Sequence, residues 1–211
     1  MSGTRPAGAE GSNTRTALLD ATVQLMLEQG YASVSTRKVA AKAEANPALV
    51  YYYFHTMDEL FLAVFRRGAE ANLRRLEQAA AADNPLRALW EVASEPHDVA
   101  LTMEFIALAN HREAVRTELV AYSRRFRRIE NVALASAVRT RGADAGRLSP
   151  AALSVLLGGL SRILAIDGVL GITDGHDEVL ALVEEYLQGF EGFPPVGDHV
   201  PPHRPAEPPP A

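Results

Sequence analysis

Residues 35–60 of the chain are STRKVAAKAEANPALVYYYFHTMDEL, and their spacing predicts two short helices joined by a tight turn. Ser35 is placed to cap the first helix, because its hydroxyl can accept a hydrogen bond from an otherwise unpaired backbone N–H. Val39, Ala40 and Ala43 form the inward face of that helix. The first helix is therefore expected to end just before residue 44.

The second predicted helix begins with Asn46 as cap and Pro47 at the first helical position, where a missing N–H costs nothing. Val50, Tyr53 and Phe54 follow at spacings of three and four and form an inward face. The residues that remain outside are small or aromatic: Ala48, Leu49, Tyr51 and Tyr52. Such a slim helix can enter the major groove of DNA and donate phenol hydroxyls to phosphates and bases. An ordinary helical hairpin is the alternative.

The flanking segments add specific signals. An amphipathic helix from Thr14 to Gln29 stops at Gly30, since a glycine just past a helix is a common left-handed stop. Thr56 can cap a long following helix, whose first turn carries Asp58 and Glu59 against the positive end of the helix dipole. With these flanks, residues 13–67 resemble the TetR/AcrR family of transcriptional repressors. The resembling residues are Gly30-Tyr31, Ser35, Arg37, Val39-Ala40, Ala43, Asn46, Val50-Tyr51, Tyr53-Phe54 and Asp58-Glu59-Leu60.

The resemblance implies an all-α protein of about nine helices. It implies a helix-turn-helix DNA-binding domain over 13–55 and a helical ligand-binding and dimerisation domain over 56–193. We expect disordered tails over 1–12 and over the proline-rich residues 194–211. The predicted function is a homodimeric repressor released from a palindromic operator by an unknown small molecule. The candidate DNA-binding residues are Thr36, Arg37, Lys38, Asn46, Pro47, Ala48, Leu49, Tyr51, Tyr52 and Thr56.

Three residues depart from the family pattern. Glu44 stands where a glycine is usual, and a left-handed backbone there would cost about 1 kcal/mol. Lys38 replaces a commonly acidic residue, so a capping box with Ser35 is not expected. Met57 stands where a lysine often contacts the DNA backbone, so one phosphate contact is expected to be missing.

Composition narrows the class of protein. The 211 residues are 47% hydrophobic with a net charge of −5, which argues against indiscriminate nucleic-acid binding. There is no cysteine, so disulfides and cysteine-ligated zinc are excluded. The first residues lack the apolar core of a signal peptide, so a cytoplasmic location is expected. We expect no cofactor.

Residues 150–172 and 175–191 are predicted to form two helices. The first is apolar around most of its circumference, but Arg162 and Asp167 near its middle argue against a membrane span. The resemblance implies that the pair forms a four-helix bundle with the partner subunit, with Gly158 and Gly159 allowing close approach. A core helix buried within one chain is the alternative.

The helices over 57–141 are expected to hold a ligand cavity, if the resemblance extends that far. The candidate ligand-binding residues are Phe61, Phe65, Trp90, Met103, Ile106, Tyr122, Arg125, Phe126 and Asp167. For any one apolar residue, a place in the core is the commoner outcome. We favour an ion pair for Arg125. Asp167 is expected either to pair with an arginine, which we favour, or to contact a ligand.

No motif of an enzyme is present: the chain has no glycine-rich phosphate loop, HExxH or G-x-S-x-G sequence. Glu104 and His111 are too few ligands for a metal site. We therefore expect neither catalysis nor a bound metal. The other two hypotheses are a DNA-binding regulator without an effector ligand and a helical module that binds another protein.

Overall fold

A computed structural model describes residues 7–140 and 148–188, without the side chains of residues 7–11 and 137–140, and this part of the chain contains nine α-helices and no strand. The helices are α1 (Ala7–Gln29), α2 (Thr36–Lys42), α3 (Pro47–Tyr53), α4 (Met57–Ala80), α5 (Pro85–Ala93), α6 (Pro96–Ala109), α7 (Glu113–Thr140), α8 (Pro150–Leu170) and α9 (His176–Gln188). A single 3-10 turn, Tyr31–Ser33, lies between α1 and α2 and is called the 31–33 turn below. The predicted all-α class is confirmed.

The caps predicted for the helix-turn-helix are present. The Ser35 hydroxyl accepts a hydrogen bond from the Lys38 N–H at 3.4 Å, and the Asn46 side chain accepts from the Ala48 N–H at 2.9 Å. Thr56 caps α4 by accepting from the Glu59 N–H at 3.1 Å. The side chains of these caps therefore set the start of all three helices.

Glu44 has a φ of 51°, so the backbone between α2 and α3 is left-handed at a non-glycine residue. The turn is closed by the Ala45 N–H, which donates to the Ala40 carbonyl at 2.9 Å. This conformation brings a β-carbon close to the following carbonyl oxygen, which is the reason glycine is favoured there.

The start of α1 differs from the prediction. The helix begins at Ala7, seven residues before the predicted start at Thr14, so residues 7–12 are helical and not part of a disordered tail. Ala7, Ala9 and Glu10 favour the helical state, and adding residues to an existing helix needs no new nucleus. Residues 1–6 and the predicted tail over 194–211 lie outside the described residues.

Two clusters of buried apolar residues form the interior. The first joins α1, α2 and α3 to the first half of α4 and to α6, and it includes Leu25, Val39, Val50, Phe61 and Phe105. The second joins the second half of α4 to α5, α7, α8 and α9. With 24 residues, α4 is about 36 Å long and belongs to both clusters. Movement of α4 therefore affects both halves of the molecule.

Helix α8 buries one side only. Leu153 and Leu157 pack into the second cluster, whereas Val155, Ile163 and Val169 are exposed. Within the described residues α8 is the one helix long and apolar enough to cross a membrane, with a mean hydropathy of 1.7, although such a helix is weak evidence by itself. The single chain therefore leaves an apolar surface on α8 that the alternative of a fully buried core helix does not explain.

Candidate DNA-binding surface and ligand cavity

The surface predicted to bind DNA is formed by α3 and the start of α2. Val50 and Phe54 anchor α3 in the first cluster at 2% and 4% exposure, which turns Tyr51 and Tyr52 outward at 60% and 73% exposure. The Tyr52 ring stands edge-on to the half-buried Tyr53 at 5.0 Å between centroids. Two phenol hydroxyls are thus available to hydrogen-bond partners beyond the protein.

The positive charges beside α3 are engaged to different degrees. Lys42 pairs with Glu28 at 2.9 Å, so its charge is largely balanced. Lys38 donates to the neutral Oε1 of Gln29 at 2.9 Å and keeps its net charge. Arg37 is exposed and makes no ion pair within the part of the chain that the structure describes. Arg37 and Lys38 are therefore the charges available to phosphates near α3.

A cavity of about 320 Å³ lies between α4, α5, α6, α7 and α8. Its apolar wall includes Ile106, Tyr122 and Phe126, with Val92, Val99 and Leu119 beside them. The Phe65 ring borders a smaller adjoining space and meets the Tyr122 ring edge-on at 5.6 Å between centroids. The volume suits a small organic molecule.

Glu130 is a buried carboxylate in the cavity wall. It is 3% exposed and accepts a hydrogen bond from the Ser154 hydroxyl. No lysine, arginine or histidine nitrogen of the described residues lies within 4.0 Å of its oxygens. Burial raises the pKa of the Glu130 carboxyl, an effect that the Ser154 hydrogen bond and the more distant charges of Arg127 and Arg162 oppose. Glu130 is therefore a buried acid without an ionic partner among the described residues.

A second polar group lies at the α4 and α6 side of the cavity. The Asp98 carboxylate pairs with Arg75 and accepts from Asn72 Nδ2 at 3.2 Å. The Asn72 Oδ1 atom is buried and accepts no hydrogen bond from the described residues. Burial and the nearby Asp98 charge raise the pKa of the Tyr122 phenol to about 12, so the phenol stays protonated at physiological pH. This side of the cavity thus offers free acceptor capacity at Asn72.

Known proteins resemble this chain in sequence and in fold. The family model described as "Bacterial regulatory proteins, tetR family" matches residues 18–64, the segment that contains the helix-turn-helix. The HTH-type transcriptional regulator BetI of Rhizobium meliloti (strain 1021) is 27% identical over 182 residues, which covers 82% of this chain and 87% of that protein. The chain belongs to the TetR family. It is a DNA-binding transcriptional regulator.

Solved structures share the fold of this TetR-family chain. A TetR-family transcriptional regulator from Rhodococcus sp. superimposes with a TM-score of 0.67 at 18% identity, covering 82% of this chain and 98% of the other. A transcriptional regulator from Saccharomonospora viridis, solved in complex with choline, superimposes with a TM-score of 0.64 at 18% identity, covering 85% and 94%. At these identities the likeness concerns the fold.

The predicted DNA-binding residues of this TetR-family regulator lie together on one face around α3. Arg37, Lys38, Asn46, Pro47, Ala48, Tyr51, Tyr52 and Thr56 are exposed, and Thr36 and Leu49 are half-buried. The Thr36 hydroxyl lies 3.7 Å from the sulfur of Met57, so the residue that replaces the usual lysine contacts α2. The role of each residue in DNA binding remains a prediction.

The predicted ligand-binding residues divide into two groups. Ile106, Tyr122 and Phe126 line the main cavity and Phe65 the adjoining space. Phe61, Trp90, Met103, Arg125 and Asp167 are not among the residues that line either space. Phe61 is instead buried in the first cluster, and Trp90 packs against the second. Phe61 and Trp90 therefore pack in the core, which is the commoner outcome for an apolar residue.

Arg125 forms ion pairs, and Asp167 lies within hydrogen-bonding distance of a histidine. Arg125 bridges α7 to α4 through Glu70 and Glu77 at 3.4 and 3.3 Å, which is the ion pair that the sequence favoured. The expected arginine partner of Asp167 is wrong: Asp167 Oδ2 lies 3.3 Å from His176 Nε2. His176 begins α9, and the left-handed stop at Gly171 turns the chain back so that these two residues meet.

The sequence analysis missed the polar residues of the cavity. Glu130 follows Phe126 by four residues and therefore lies on the same face of α7. Ser154, Gly158 and Ser161 occupy one face of an otherwise apolar α8, and all three line the cavity. A polar stripe on an apolar helix was thus the available signal.

Glu104 and His111 have no third neighbour of the metal-binding type, since the described residues contain no group of three or more histidine, aspartate or glutamate side chains that could hold a metal ion.

Proposed function

We propose that this TetR-family regulator is a homodimeric repressor that leaves a palindromic operator when a small organic cation fills its cavity. One observation carries the proposal: α4 and α6 line the cavity and also belong to the core of the helix-turn-helix domain. A change in the cavity therefore has a direct mechanical route to the DNA-binding surface.

Dimerisation is supported by the exposed side of α8 and α9. Large apolar side chains are exposed along both helices and their connection: Val155, Leu156, Ile163, Ile166, Val169, Leu170, Ile172, Leu180 and Leu182. An accumulation of exposed apolar side chains on neighbouring helices is typical of protein interfaces, and two-fold dimers are the commonest assembly. A β-carbon on Gly159 would meet nothing within 4 Å, so that side of α8 is open to a partner. Gly158 instead faces the Arg162 side chain and the cavity.

A two-fold dimer presents two copies of α3 to the same side of DNA. Half-sites about one helical turn apart, or a multiple of it, would then form a palindrome. Tyr51 and Tyr52 are proposed to contact phosphates or base edges, while Arg37 and Lys38 fix the register on the backbone. The protein would act in the cytoplasm, where the operator is.

The ligand class follows from Glu130. A buried carboxylate needs a partner, and an organic cation in the cavity would supply one. The Tyr122 and Phe126 rings line the same space and can receive a quaternary ammonium group on their faces. A hydroxyl on the ligand would satisfy Asn72 Oδ1. The Saccharomonospora viridis regulator, which shares the fold, was solved with choline, a molecule with both groups.

Release requires that the ligand prefer the conformation that does not bind DNA. Filling the cavity would displace α4, whose first turn follows α3 directly, and would change the distance between the two copies of α3. A differential affinity of 5–150-fold, equivalent to about 1–3 kcal/mol, is typical of such coupling.

Calorimetric titration of the full-length protein tests the ligand class. Choline is compared with 3,3-dimethylbutan-1-ol, a neutral analogue of the same shape, and with acetate. We expect choline to bind and the other two compounds to bind at least tenfold more weakly. A tenfold ratio corresponds to about 1.4 kcal/mol, and an interaction between two charges removed from water is expected to exceed that value. Equal binding of choline and the neutral alcohol would remove the role of charge. Preferential binding of acetate would instead assign the site to an anion held by Arg127 and Arg162.

The two alternatives have separate outcomes. Specific DNA binding that no small molecule changes would support a regulator without an effector. A stable dimer with no affinity for duplex DNA at low salt would support a helical module that binds another protein.

A further inference from the structure

Two opposite faces of helix α6 contact two different parts of the molecule. Asp98, Thr102 and Ile106 recur every four residues and line the cavity. Glu104 lies on the opposite face of the same helix and points to the DNA-binding domain, where its carboxylate is half-buried. One rigid helix thus contacts both the cavity and the domain that carries α3.

Glu104 caps the 31–33 turn from outside. The Tyr31 N–H donates to Glu104 Oε2 at 2.6 Å. The residue before the turn is Gly30, with a φ of 77°, and it has no side chain that can cap the turn. Because the first N–H of such a turn has no partner within the turn, Glu104 fills a role that a neighbouring residue usually fills. The 31–33 turn leads directly into α2.

The segment that follows Glu104 makes two more contacts with the same domain. His111 stacks on the Tyr31 ring with 6.4 Å between centroids and an angle of 29°. Arg112 donates to Asp58 at 2.6 Å, and Asp58 lies in the first turn of α4. Residues 104–112 therefore contact the chain just before α2 and just after α3. The helix-turn-helix is therefore held at both of its ends by the last turns of α6 and the short connection from α6 to α7.

We propose that Glu104 on α6 and Arg112 in the connection from α6 to α7 form a clamp that sets the orientation of the helix-turn-helix, with Glu104 as its positioning residue. Displacement of α6 by a ligand moves the 31–33 turn and the start of α4 together, so α2 and α3 turn as one unit. The clamp would connect the cavity to the helix-turn-helix in addition to the displacement of α4. Its response to ligand rests on the proposed function, whereas its effect on DNA binding does not.

The test uses three full-length variants and the wild type. Glu104→Ala removes the acceptor of the Tyr31 N–H, and Glu104→Gln keeps an acceptor oxygen while it removes the charge. Glu91→Ala is the control, because Glu91 is an exposed acid on α5 with no ion pair in the described part of the chain. Each protein is examined for helix content and dimerisation, for amide hydrogen exchange, and for affinity to the palindromic duplex selected by the wild type, with and without choline.

The clamp predicts a defined pattern. In Glu104→Ala the Tyr31 amide exchanges about tenfold faster, as expected for a lost hydrogen bond. Operator affinity falls by about fivefold or more, and the change in affinity caused by choline shrinks towards one. Glu104→Gln and Glu91→Ala stay close to the wild type. Faster exchange at Tyr31 with unchanged operator affinity would show that Glu104 is only a local cap and would overturn the proposal.

An incorrect ligand and a variant that does not fold would give different results. If choline changes the operator affinity of no protein, the proposed ligand is wrong, and the loss of affinity in Glu104→Ala alone decides the clamp. If Glu104→Ala does not fold, Arg112→Gln replaces it, since that change breaks only a half-exposed ion pair at the other contact of the clamp. Wild-type operator affinity in Arg112→Gln would then overturn the proposal.

Discussion

Glu44 illustrates how one residue limits the stability of the DNA-binding domain. Its φ of 51° is a conformation that glycine adopts readily and that costs other residues about 1 kcal/mol. The side chain is exposed and forms no ion pair in the described part of the chain that would offset this cost. The departure from the family pattern is therefore a local weakness.

Replacing that residue, Glu44→Gly, is expected to raise the free energy of unfolding by about 0.5–1 kcal/mol, measured by urea denaturation. The control is Ala43→Gly, because Ala43 has a φ of −86°, where glycine gives no relief. It should leave the stability unchanged or lower it. A loss of stability in Glu44→Gly would contradict the argument from strain.

The two exposed tyrosines are predicted to contribute through their hydroxyl groups. Tyr51→Phe and Tyr52→Phe keep the ring and should each weaken binding to the operator by about 0.5–1.5 kcal/mol, the value of one hydrogen bond. Fluorescence anisotropy with the operator and with an unrelated duplex measures the effect. Dimerisation should not change. Wild-type affinity in a variant would exclude that hydroxyl from the interface.

Glu130 gives the protein a predicted pH dependence. Its pKa is raised in the folded state, so the folded protein holds this proton to higher pH than the unfolded chain does. The free energy of unfolding therefore falls as pH rises through the folded pKa. The variant Glu130→Gln lacks this loss and can still hydrogen-bond Ser154. Its Tm should exceed that of the wild type at pH 7.5, by about 2–4 °C for each kcal/mol gained.

The advantage of Glu130→Gln should shrink between pH 7.5 and pH 4.5, because the folded wild type takes up the proton of this carboxyl as the pH falls. Thermal unfolding followed by circular dichroism at both values of pH checks this. An advantage of equal size at both would mean that the charge of Glu130 does not lower stability.

Among the elements, the helices whose ends carry caps, prolines and glycines were predictable. The first residues of three helices follow from local sequence, because a capping side chain or a proline fixes the backbone at that point. These are Asn46-Pro47 for α3, Thr56 for α4 and Ser149-Pro150 for α8. The start of α1 was not predictable, because the amphipathic pattern begins at Thr14 whereas the helix extends back to Ala7. Local chemistry therefore explains most of the helix boundaries.

The cavity was only partly predictable because it depends on how the helices are arranged around it. Ile106, Tyr122 and Phe126 belong to stripes that the sequence shows, but a stripe does not distinguish a packed core from a wall. Glu130 and Ser154 lie on different helices, and their hydrogen bond depends on the register of α7 against α8. The partner of Asp167 escaped prediction for the same reason.

Helix α8 is the element on which dimerisation depends in this account. Val169 is 83% exposed in the single chain, and Val169→Glu would place a charge in the proposed interface. The dimer should dissociate at micromolar concentrations in analytical ultracentrifugation. The same change at an exposed valine of α7, Val120→Glu, should leave the dimer intact. Dissociation in both variants or in neither would contradict an interface formed by α8.

The whole molecule combines a net charge of −5 with a small positive surface at α2. Such a chain is expected to bind DNA weakly unless two copies of α3 contact the duplex together, because each subunit offers few charges to the phosphates. Dimerisation through α8 and DNA binding through α3 are thus linked in this account. Helix α4, which belongs to both clusters, connects the cavity to the DNA-binding surface.

Selection of bound duplexes from a random DNA library, near physiological salt and with any carried-over ligand removed, tests the account most directly. A symmetric dimer that reads sequence predicts enrichment of a palindrome with half-sites one helical turn, or a multiple, apart. An enriched site without two-fold symmetry would contradict the dimer. Enrichment of no sequence, by a protein shown to be a dimer in solution, would contradict the operator-binding repressor itself.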